Sequence, residues 1–398
     1  MENDVHMEEK RILRLVCSIA ILAFSIIALY SKDSMALIMG IFVSGLIAYG
    51  YFIISKYFPD GDKYIFLLSS FLTLIGLIML YRIKPYYAVR QLTWFTIGIS
   101  LFILIVVLLP DMESISGLKY LYMGAAVGLL LLTQFIGIDR RGSKNWIDLG
   151  FTTFQPSEFS KIFIILYLAL ALKDFKKWKD LIVPAAVVGI SLILLVLQKD
   201  LGTALIFFCI SLAMVYVSTS KISYVLSALG LFIAGAFGSY FTFSHVRQRV
   251  QMWINPWSDP NNLGYQIVQS MFAIASGGFL GTGLYLGHPE YIPEVETDMI
   301  FSIICEELGL LGGFAIIIAY FLLIYRGFRS AIYSESNFSK LVSVGLSTMI
   351  GSQVFVIIGG TIKLIPLTGI TLPLISYGGS SMVITFIGLG ILQKVSEN

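Results

Sequence analysis

Four carboxylates lie close together in one polar stretch of this sequence, just before a long apolar segment. They are Glu290, Glu294, Glu296 and Asp298. A carboxylate at the mouth of a water-filled cleft can accept a proton from a hydroxyl group or bind a divalent cation. We therefore take Asp298 as the candidate catalytic residue and as a candidate ligand for such a cation. The alternative is that Asp298 caps the following helix together with Thr297.

A second pair of ionisable residues lies at the start of another apolar segment. Glu158 and Lys161 are three positions apart, so they share one face of a helix and can form an ion pair. Pro156 suits the first turn of that helix, where an acid also complements the helix dipole. Ionisable groups at this depth indicate a polar cavity in the membrane. The alternative is a capped helix that enters lipid with a neutralised pair.

Asp200 begins a further apolar segment. Capping of that helix is by itself a sufficient explanation for an acid at this position.

Prolines and small polar residues interrupt an apolar region between residues 363 and 381. Pro366 and Pro373 break the helical pattern, and Ser376 and Ser380 follow them. A broken helix at membrane depth is tolerated only where protein or water covers the backbone. We therefore take the two serines as candidate substrate-binding residues. The alternative is that the small residues let neighbouring helices pack closely.

The composition indicates a membrane protein. Mean hydropathy is +0.86, with 57% hydrophobic and 13% charged residues, which excludes a soluble globular protein. Apolar runs of about 20 residues can each cross a bilayer, and they lack the alternation of a transmembrane β-barrel. We predict an all-α polytopic membrane protein with helices as its only secondary structure. The predicted spans are about 12–30, 35–54, 64–81, 92–109, 119–137, 156–172, 181–198, 201–217, 224–243, 298–325, 341–360 and 371–393.

Charge, cysteine and histidine content exclude several other classes. The net charge is +3 and the basic residues are scattered, so no nucleic-acid partner is predicted. All 3 cysteines lie in apolar runs and the 3 histidines are far apart, which predicts neither a disulfide framework nor a histidine-based metal motif. The first apolar run has no small-residue cleavage site, so we interpret it as a retained helix rather than a signal peptide.

The distribution of Lys and Arg favours a cytoplasmic N-terminus, and the short basic loop 173–179 is its strongest element. With twelve spans both termini are then cytoplasmic, and the long loops 138–155 and 244–297 face outward. Within the second loop, residues 267–286 predict a helix and turn at the outer interface, or alternatively a marginal thirteenth span. Basic residues on the outer side suggest an anionic ligand there, or else they snorkel to lipid headgroups. These residues are Arg82, Lys84, Arg90, Arg140, Arg141, Lys144, Arg247 and Arg249.

Five separated motifs, in one order, resemble those of the bacterial SEDS proteins, the family of FtsW, RodA and SpoVE. The motifs are Asn145–Gly150 with Gln155–Glu158, Asp200–Ala204, Tyr291–Glu294 with Thr297–Asp298, Glu306–Gly309, and Leu372–Pro373 with Ser376–Ser381. The resemblance covers roughly residues 64–396 and implies a core of ten helices. We therefore divide the chain into an N-terminal extension with two extra transmembrane helices, residues 1–60, and a SEDS-type core, residues 61–398, which includes the extracytoplasmic loop 244–297.

The resemblance implies a peptidoglycan glycosyltransferase that polymerises lipid II at the outer face of the bacterial cytoplasmic membrane, with a class B penicillin-binding protein (transpeptidase) as its partner. In the implied reaction a sugar 4-hydroxyl attacks the anomeric carbon of an undecaprenyl-diphosphate-linked glycan. Asp298 matches the family's essential acid and would act as general base or as ligand to Mg²⁺ or Mn²⁺. Glu158 and Lys161 match the family's intramembrane ion pair. The candidate substrate-binding residues are Glu158, Lys161, Arg140, Lys144, Arg247, Arg249, Ser376 and Ser380.

Two other functions fit some of these features. A flippase or transporter of lipid-linked cell-wall precursors would also use broken helices and intramembrane charges. It requires ionisable groups near the midplane that are accessible from both sides, whereas Asp298 is predicted at the outer end of its helix. A structural scaffold for division proteins would need no acid at this position. The sequence departs from the family pattern at Lys199, where proline is frequent, and around Lys363, where asparagine is frequent.

Overall fold

The structure, a computed structural model, describes residues 2–140, 143–148, 150 and 153–397, with the backbone alone for 2–5 and 140. Within these ranges the chain forms fourteen α-helices and three short strands. The helices are α1 (Glu2–Ser31), α2 (Met35–Tyr57), α3 (Tyr64–Ile83), α4 (Pro85–Leu108), α5 (Lys119–Ile136), α6 (Pro156–Leu172), α7 (Ile182–Leu197), α8 (Leu201–Thr219), α9 (Ile222–Thr242), α10 (Ser244–Ile254), α11 (Tyr265–Gly277), α12 (Ile300–Tyr333), α13 (Asn337–Thr361) and α14 (Gly379–Val395).

The predicted all-α polytopic membrane fold is confirmed, because each of the twelve predicted spans coincides with a helix. Among the described residues, 10 helices are long and apolar enough to cross a membrane. The other two, α6 and α14, have 17 residues each. Helix α14 begins at Gly379 rather than at residue 371, because the two prolines lie in an irregular stretch before it. We call residues 362–378 the re-entrant segment.

The expectation that helices are the only secondary structure is wrong in one loop. Between α5 and α6, strand β1 (Ile138–Arg140) pairs antiparallel with β2 (Ser143–Asp148), which pairs with β3 (Thr153–Phe154). Open sheets are excluded only where their backbone faces lipid. This small sheet forms in a polar loop, where water and side chains can satisfy its edges.

Polar contacts show which ends of the helices lie together. At the start of α3, Tyr64 donates a hydrogen bond to Glu8 (3.4 Å), and the backbone N–H of Asp62 donates to Ser396 (3.0 Å). Segments near both termini therefore lie at one end of the bundle. At the other end of α3, Arg82 donates to the carbonyl of Gly287 (2.7 Å). The loop that precedes α12 therefore lies at the end opposite to the termini.

The long loop 244–297 contains two helices that do not cross the bundle. Helix α11 has 13 residues, fewer than the roughly 20 needed to span a bilayer. The turn after α11 pairs with the backbone of α12: Thr282 donates to the carbonyl of Glu306 (2.9 Å) and Leu310 donates to that of Gly278 (3.0 Å). The helical backbone of α12 is interrupted beside these bonds at Gly309, whose φ is +67°. These features agree with a helix and turn at the interface rather than a thirteenth span.

Gly76 brings α3 against the re-entrant segment, and this contact offers a test of the packing. A Cβ added at Gly76 would lie 2.7 Å from Cα of Ile375, whereas one added at Gly45 of α2 would meet nothing within 4 Å. We expect Gly76→Ala to lower the free energy of unfolding by about 1–3 kcal/mol, because the backbone of the segment must shift. Thermal denaturation in detergent measures this loss. Gly45→Ala is the matched control, and equal stability of the two variants would contradict the close packing.

Candidate active site

A cavity of about 600 Å³ lies where α4, α6, α10, the loop before α12 and the re-entrant segment meet. Its volume is in the range of small-molecule binding sites. Asp298, Glu158, Arg249 and Ser380, which were predicted from distant parts of the sequence, all line it. The fold therefore brings four of the nine predicted site residues to one place.

Asp298 lies in a tight turn that ends the long loop. The turn starts at Glu294, whose φ is +54°, and the backbone N–H of Asp298 donates to the carbonyl of Glu294 (3.1 Å). Helix α12 begins only at Ile300, with Met299 as N-cap and no capping side chain. The alternative that Asp298 caps this helix is therefore wrong, and its carboxylate faces the cavity.

The re-entrant segment holds this turn in place. The backbone N–H of Tyr377 donates to the carbonyl of Glu296 (2.8 Å). The hydroxyl of Ser376 donates to the carbonyl of Thr297 and accepts from the backbone N–H of Leu372 (3.0 Å). Ser376, predicted to bind substrate, is buried and does not line the cavity. Its contacts instead fix the backbone next to Asp298.

Arg249 brings a positive charge beside Asp298. Its guanidinium donates to the carbonyl of Thr368 (2.6 Å). A Cβ built on Gly369, whose φ is +75°, would lie 3.5 Å from Nη2 of Arg249 and 3.6 Å from Oδ2 of Asp298. Burial lowers the pKa of Arg249, while the charges of Asp298 and Asp200 oppose that shift. Because residue 369 has no side chain, the space beside the Asp298 carboxylate and the Arg249 guanidinium stays open.

Glu158 and Lys161 form the predicted ion pair inside the protein. Nζ of Lys161 lies 2.8 Å from Oε1 of Glu158, and both side chains are buried. Lys161 also donates to Oε1 of Gln353 (3.1 Å), and the amide of Gln353 donates to the carbonyl of Thr371 (2.9 Å). The second carboxylate oxygen of Glu158 is buried with no hydrogen-bond partner among the described residues, and Glu158 lines the cavity. The pair therefore links α6, α13 and the re-entrant segment.

Asp200 is both a helix cap and the centre of a buried network. Its Oδ1 accepts from the backbone N–H of Thr203 (3.1 Å), as the capping interpretation predicts. Its Oδ2 accepts from the side chains of Asn145 (3.0 Å), Gln155 (3.3 Å) and Ser157 (3.3 Å). Two of the five sequence motifs thus meet at one carboxylate. This network fixes the start of α6, which carries Glu158.

The remaining predicted residues have other partners. Ser380 lines the cavity, and its hydroxyl accepts from the backbone N–H of Gln155 (3.4 Å). Nζ of Lys144 donates to the carbonyl of Gln134 (2.9 Å), and Arg247 is exposed and donates to the carbonyl of Phe241 (3.2 Å). Neither of these two side chains lines the cavity. The side chain of Arg140 is outside the described residues.

Comparison with known proteins identifies the family. The FtsW/RodA/SpoVE family model, described as "Cell cycle protein", matches residues 62–398. This chain belongs to the FtsW/RodA/SpoVE family. It is 36% identical over 375 residues to the peptidoglycan glycosyltransferase RodA of Mycobacterium tuberculosis, covering 86% of this chain and 80% of that protein. It is 35% identical over 358 residues to stage V sporulation protein E of Bacillus subtilis, covering 84% of this chain and 97% of that protein.

A solved structure supports the same assignment. One chain of a structure titled "Structural coordination of polymerization and crosslinking by a peptidoglycan synthase complex" superposes with a TM-score of 0.73. The two sequences are 30% identical, and the match covers 84% of this chain and 97% of that chain. The membership in the FtsW/RodA/SpoVE family therefore rests on sequence and on fold.

In this FtsW/RodA/SpoVE protein the cavity is also lined by residues outside the predicted catalytic and substrate-binding set. Arg90, Tyr87 and Trp94 of α4 line it, and so does His245 of α10. Burial lowers the pKa of His245, and the charges of Arg249 and Lys199 lower it further, so this histidine stays neutral at pH 7. A lone histidine carries no sequence signal. Arg90 was recognised only as one of several outer basic residues.

The buried ion pair gives a test of the site's electrostatics. Replacing one partner leaves the other as an uncompensated buried charge, which costs about 3–5 kcal/mol in typical proteins. We expect Lys161→Met to lower the free energy of unfolding by about that amount, as measured by denaturation in detergent. The double variant Glu158→Gln with Lys161→Met is the control and should recover most of the loss. Equal stability of Lys161→Met and wild type would contradict a charged buried pair.

Proposed function

We propose that this chain polymerises lipid II, with Asp298 as the residue that accepts the proton of the attacking sugar hydroxyl. The chain is a peptidoglycan glycosyltransferase, as its similarity to RodA shows. The observation that supports a role for Asp298 is its position beside Arg249, across the open space at Gly369, in the shared cavity. This arrangement places a base next to a cation, and the reaction needs both.

The chemistry assigns a distinct task to each group. The 4-hydroxyl oxygen of one sugar bonds to the anomeric carbon of a second glycan, and the bond from that carbon to the lipid diphosphate breaks. The bonding electrons leave with the diphosphate, and the carboxylate of Asp298 takes the hydroxyl proton. Negative charge therefore develops on the leaving group. Arg249 and Arg90 line the same cavity and can stabilise that charge.

We propose that Asp298 also holds Mg²⁺ or Mn²⁺ when the diphosphate is bound. Among the described residues, no group of at least 3 His, Cys, Asp or Glu side chains could hold a metal ion. Mg²⁺ is usually bound by one or two carboxylates together with waters and substrate phosphates. A single aspartate beside a diphosphate fits that pattern. A cation held there by Asp298 would neutralise charge on the leaving group.

We further propose the orientation and the partner. The basic loop 173–179 favours placing the end of the bundle that contains both termini in the cytoplasm, and the Asp298 cavity then opens on the outer side of the bacterial cytoplasmic membrane. The similar chain comes from a complex that, by its title, coordinates polymerisation and crosslinking. A class B penicillin-binding protein, which crosslinks glycan strands, is therefore the proposed partner. Division and elongation are both compatible with this chemistry.

Asp298→Asn tests the proposed role of the acid. We expect the rate of lipid II polymerisation to fall by roughly 10²- to 10⁴-fold, because the amide cannot accept the proton. The measurement is the yield of glycan strands from lipid II, with the purified chain and its transpeptidase partner in one detergent mixture. Glu290→Gln is the matched control, since Glu290 is an exposed acid of the same loop that does not line the cavity. Full polymerisation by Asp298→Asn would remove the proposed base.

Cation binding provides a second test of this site. We expect Mn²⁺ binding, followed by electron paramagnetic resonance, to tighten by at least about tenfold when undecaprenyl diphosphate is added, since the diphosphate supplies ligands. Asp298→Asn should lose this increase and Glu290→Gln should keep it. Identical Mn²⁺ binding with and without the lipid would contradict a site that substrate completes.

A further inference from the structure

Helices α1 and α2 form an N-terminal hairpin outside the part of the chain that the family model matches, residues 62–398. The hairpin packs tightly on itself and on the core. A Cβ added at Gly40 of α2 would lie 2.9 Å from Cβ of Phe24 of α1, and the ring of Phe24 contacts Tyr81 of α3 edge-on, with centroids 5.7 Å apart. The hairpin is therefore an integral part of the bundle rather than a loose extension.

A buried charge holds the hairpin at the end of the bundle near the termini. Glu9 of α1 accepts a hydrogen bond from Tyr51 of α2 (3.0 Å) and lies 3.5 Å from Nζ of Lys63. Glu9 and Lys63 are 3% and 2% exposed, so neither charge is satisfied by bulk water. Breaking such a pair is costly, and the hairpin's position relative to α3 is therefore well defined.

The opposite end of the hairpin touches the loop that leads to Asp298. Asp33, between α1 and α2, accepts a hydrogen bond from the hydroxyl of Tyr81 (2.6 Å). Tyr30, at the end of α1, stacks on Tyr285 with centroids 5.8 Å apart and an angle of 18° between the rings. Tyr285 belongs to the turn between α11 and α12. One face of its ring is thus covered by the hairpin.

Core residues also hold Tyr285. The guanidinium carbon of Arg82 lies 4.3 Å from the centre of the Tyr285 ring, and Arg82 also donates to Glu307 (2.9 Å). The backbone N–H of Tyr285 donates to the same carboxylate (3.0 Å), although φ at Tyr285 is +77°, a conformation that non-glycine residues rarely adopt. A strained backbone persists only where its surroundings fix it. The stacking of Tyr30 is one of these restraints.

The chain from Tyr285 to Asp298 is held at several further points. The backbone N–H of His288 donates to Glu306 (3.1 Å), and the amide of Gln266 donates to the carbonyl of Pro293 (3.3 Å). Tyr285 and the turn that carries the acid thus belong to one loop segment that is tied by hydrogen bonds to α11 and α12. Misplacement of a catalytic group by about 1 Å can slow a reaction substantially.

We propose that the N-terminal hairpin clamps the loop that carries Asp298, and that Tyr30 is a positioning residue for the glycosyltransferase reaction. This inference rests on the proposed function, because it concerns the placement of the proposed base. Neither Tyr30 nor its stacking partner Tyr285 lines the cavity. Tyr30 therefore acts on the site through Tyr285. The two extra helices thus have a role in catalysis without contacting substrate.

The test is Tyr30→Ala in the full chain with its transpeptidase partner. Tyr30 is 55% exposed, so its truncation leaves the core of the bundle intact. We expect kcat for lipid II polymerisation to fall about three- to tenfold with KM unchanged, given the typical strength of an aromatic pair. Amide hydrogen exchange of residues 278–291 should become faster. Tyr30→Phe keeps the stacked ring and should restore both measurements.

Tyr57→Ala is the matched control, since Tyr57 ends the other hairpin helix, is 53% exposed and lies at the opposite end of the bundle. If Tyr30 acts through Tyr285, the double variant Tyr30→Ala with Tyr285→Ala should be no slower than Tyr285→Ala alone. Wild-type kcat and exchange in Tyr30→Ala would overturn the inference, and so would an equal loss in Tyr57→Ala. Should Asp298→Asn prove fully active, the proposed base fails instead, while the exchange data still decide whether Tyr30 restrains the loop.

Discussion

A backbone that leaves helical geometry inside a bilayer must find its hydrogen-bond partners within the protein, because lipid offers none. The re-entrant segment meets this requirement through neighbouring helices and the loop before α12. The side chain of Gln91 donates to the carbonyl of Ser376 (3.0 Å) and accepts from the backbone N–H of Gly378 (3.2 Å). Tyr377 bonds to Glu296 in the loop. Some of the contacts that make the broken helix tolerable, those of Ser376 and Tyr377, also fix the turn of Asp298.

The charges around the cavity follow from a second physical cost, that of burying an ion. Glu158 is neutralised by Lys161, and Asp200 accepts hydrogen bonds from three side chains and one backbone amide. Arg249 is held by carbonyls of the re-entrant segment and lies near Asp298. Each of these charged side chains is thus compensated by the protein before substrate arrives. A preorganised set of this kind stabilises charge that develops during a reaction without first rearranging.

The loop before α12 is anchored both by the core and by the N-terminal hairpin, which lies outside the family match. In the core, Arg82, Glu306 and Glu307 form the hydrogen bonds that hold the loop before α12. None of these three residues lines the cavity. Glu306 and Glu307 belong to one of the five sequence motifs, and in the structure they anchor the loop. The hairpin adds one more anchor at Tyr285. Support of the acid is therefore distributed over several helices, whereas the chemistry is confined to one turn.

Sequence alone determined the membrane environment and the positions of the twelve apolar helices, and it singled out Asp298 as the candidate acid, because apolar run length and the placement of charges beside apolar runs are local properties of the chain. It also indicated a break in the helical pattern near Pro366 and Pro373, since proline has a local effect, although it placed the start of the last span at residue 371 rather than at Gly379. Only the tertiary structure decided which candidates meet: Arg249 and Ser380 reach the cavity, whereas Lys144, Arg247 and Ser376 do not line it. The roles of His245, Gln353 and Tyr30 likewise depend on contacts between residues far apart in sequence, and such contacts leave no periodic or local pattern.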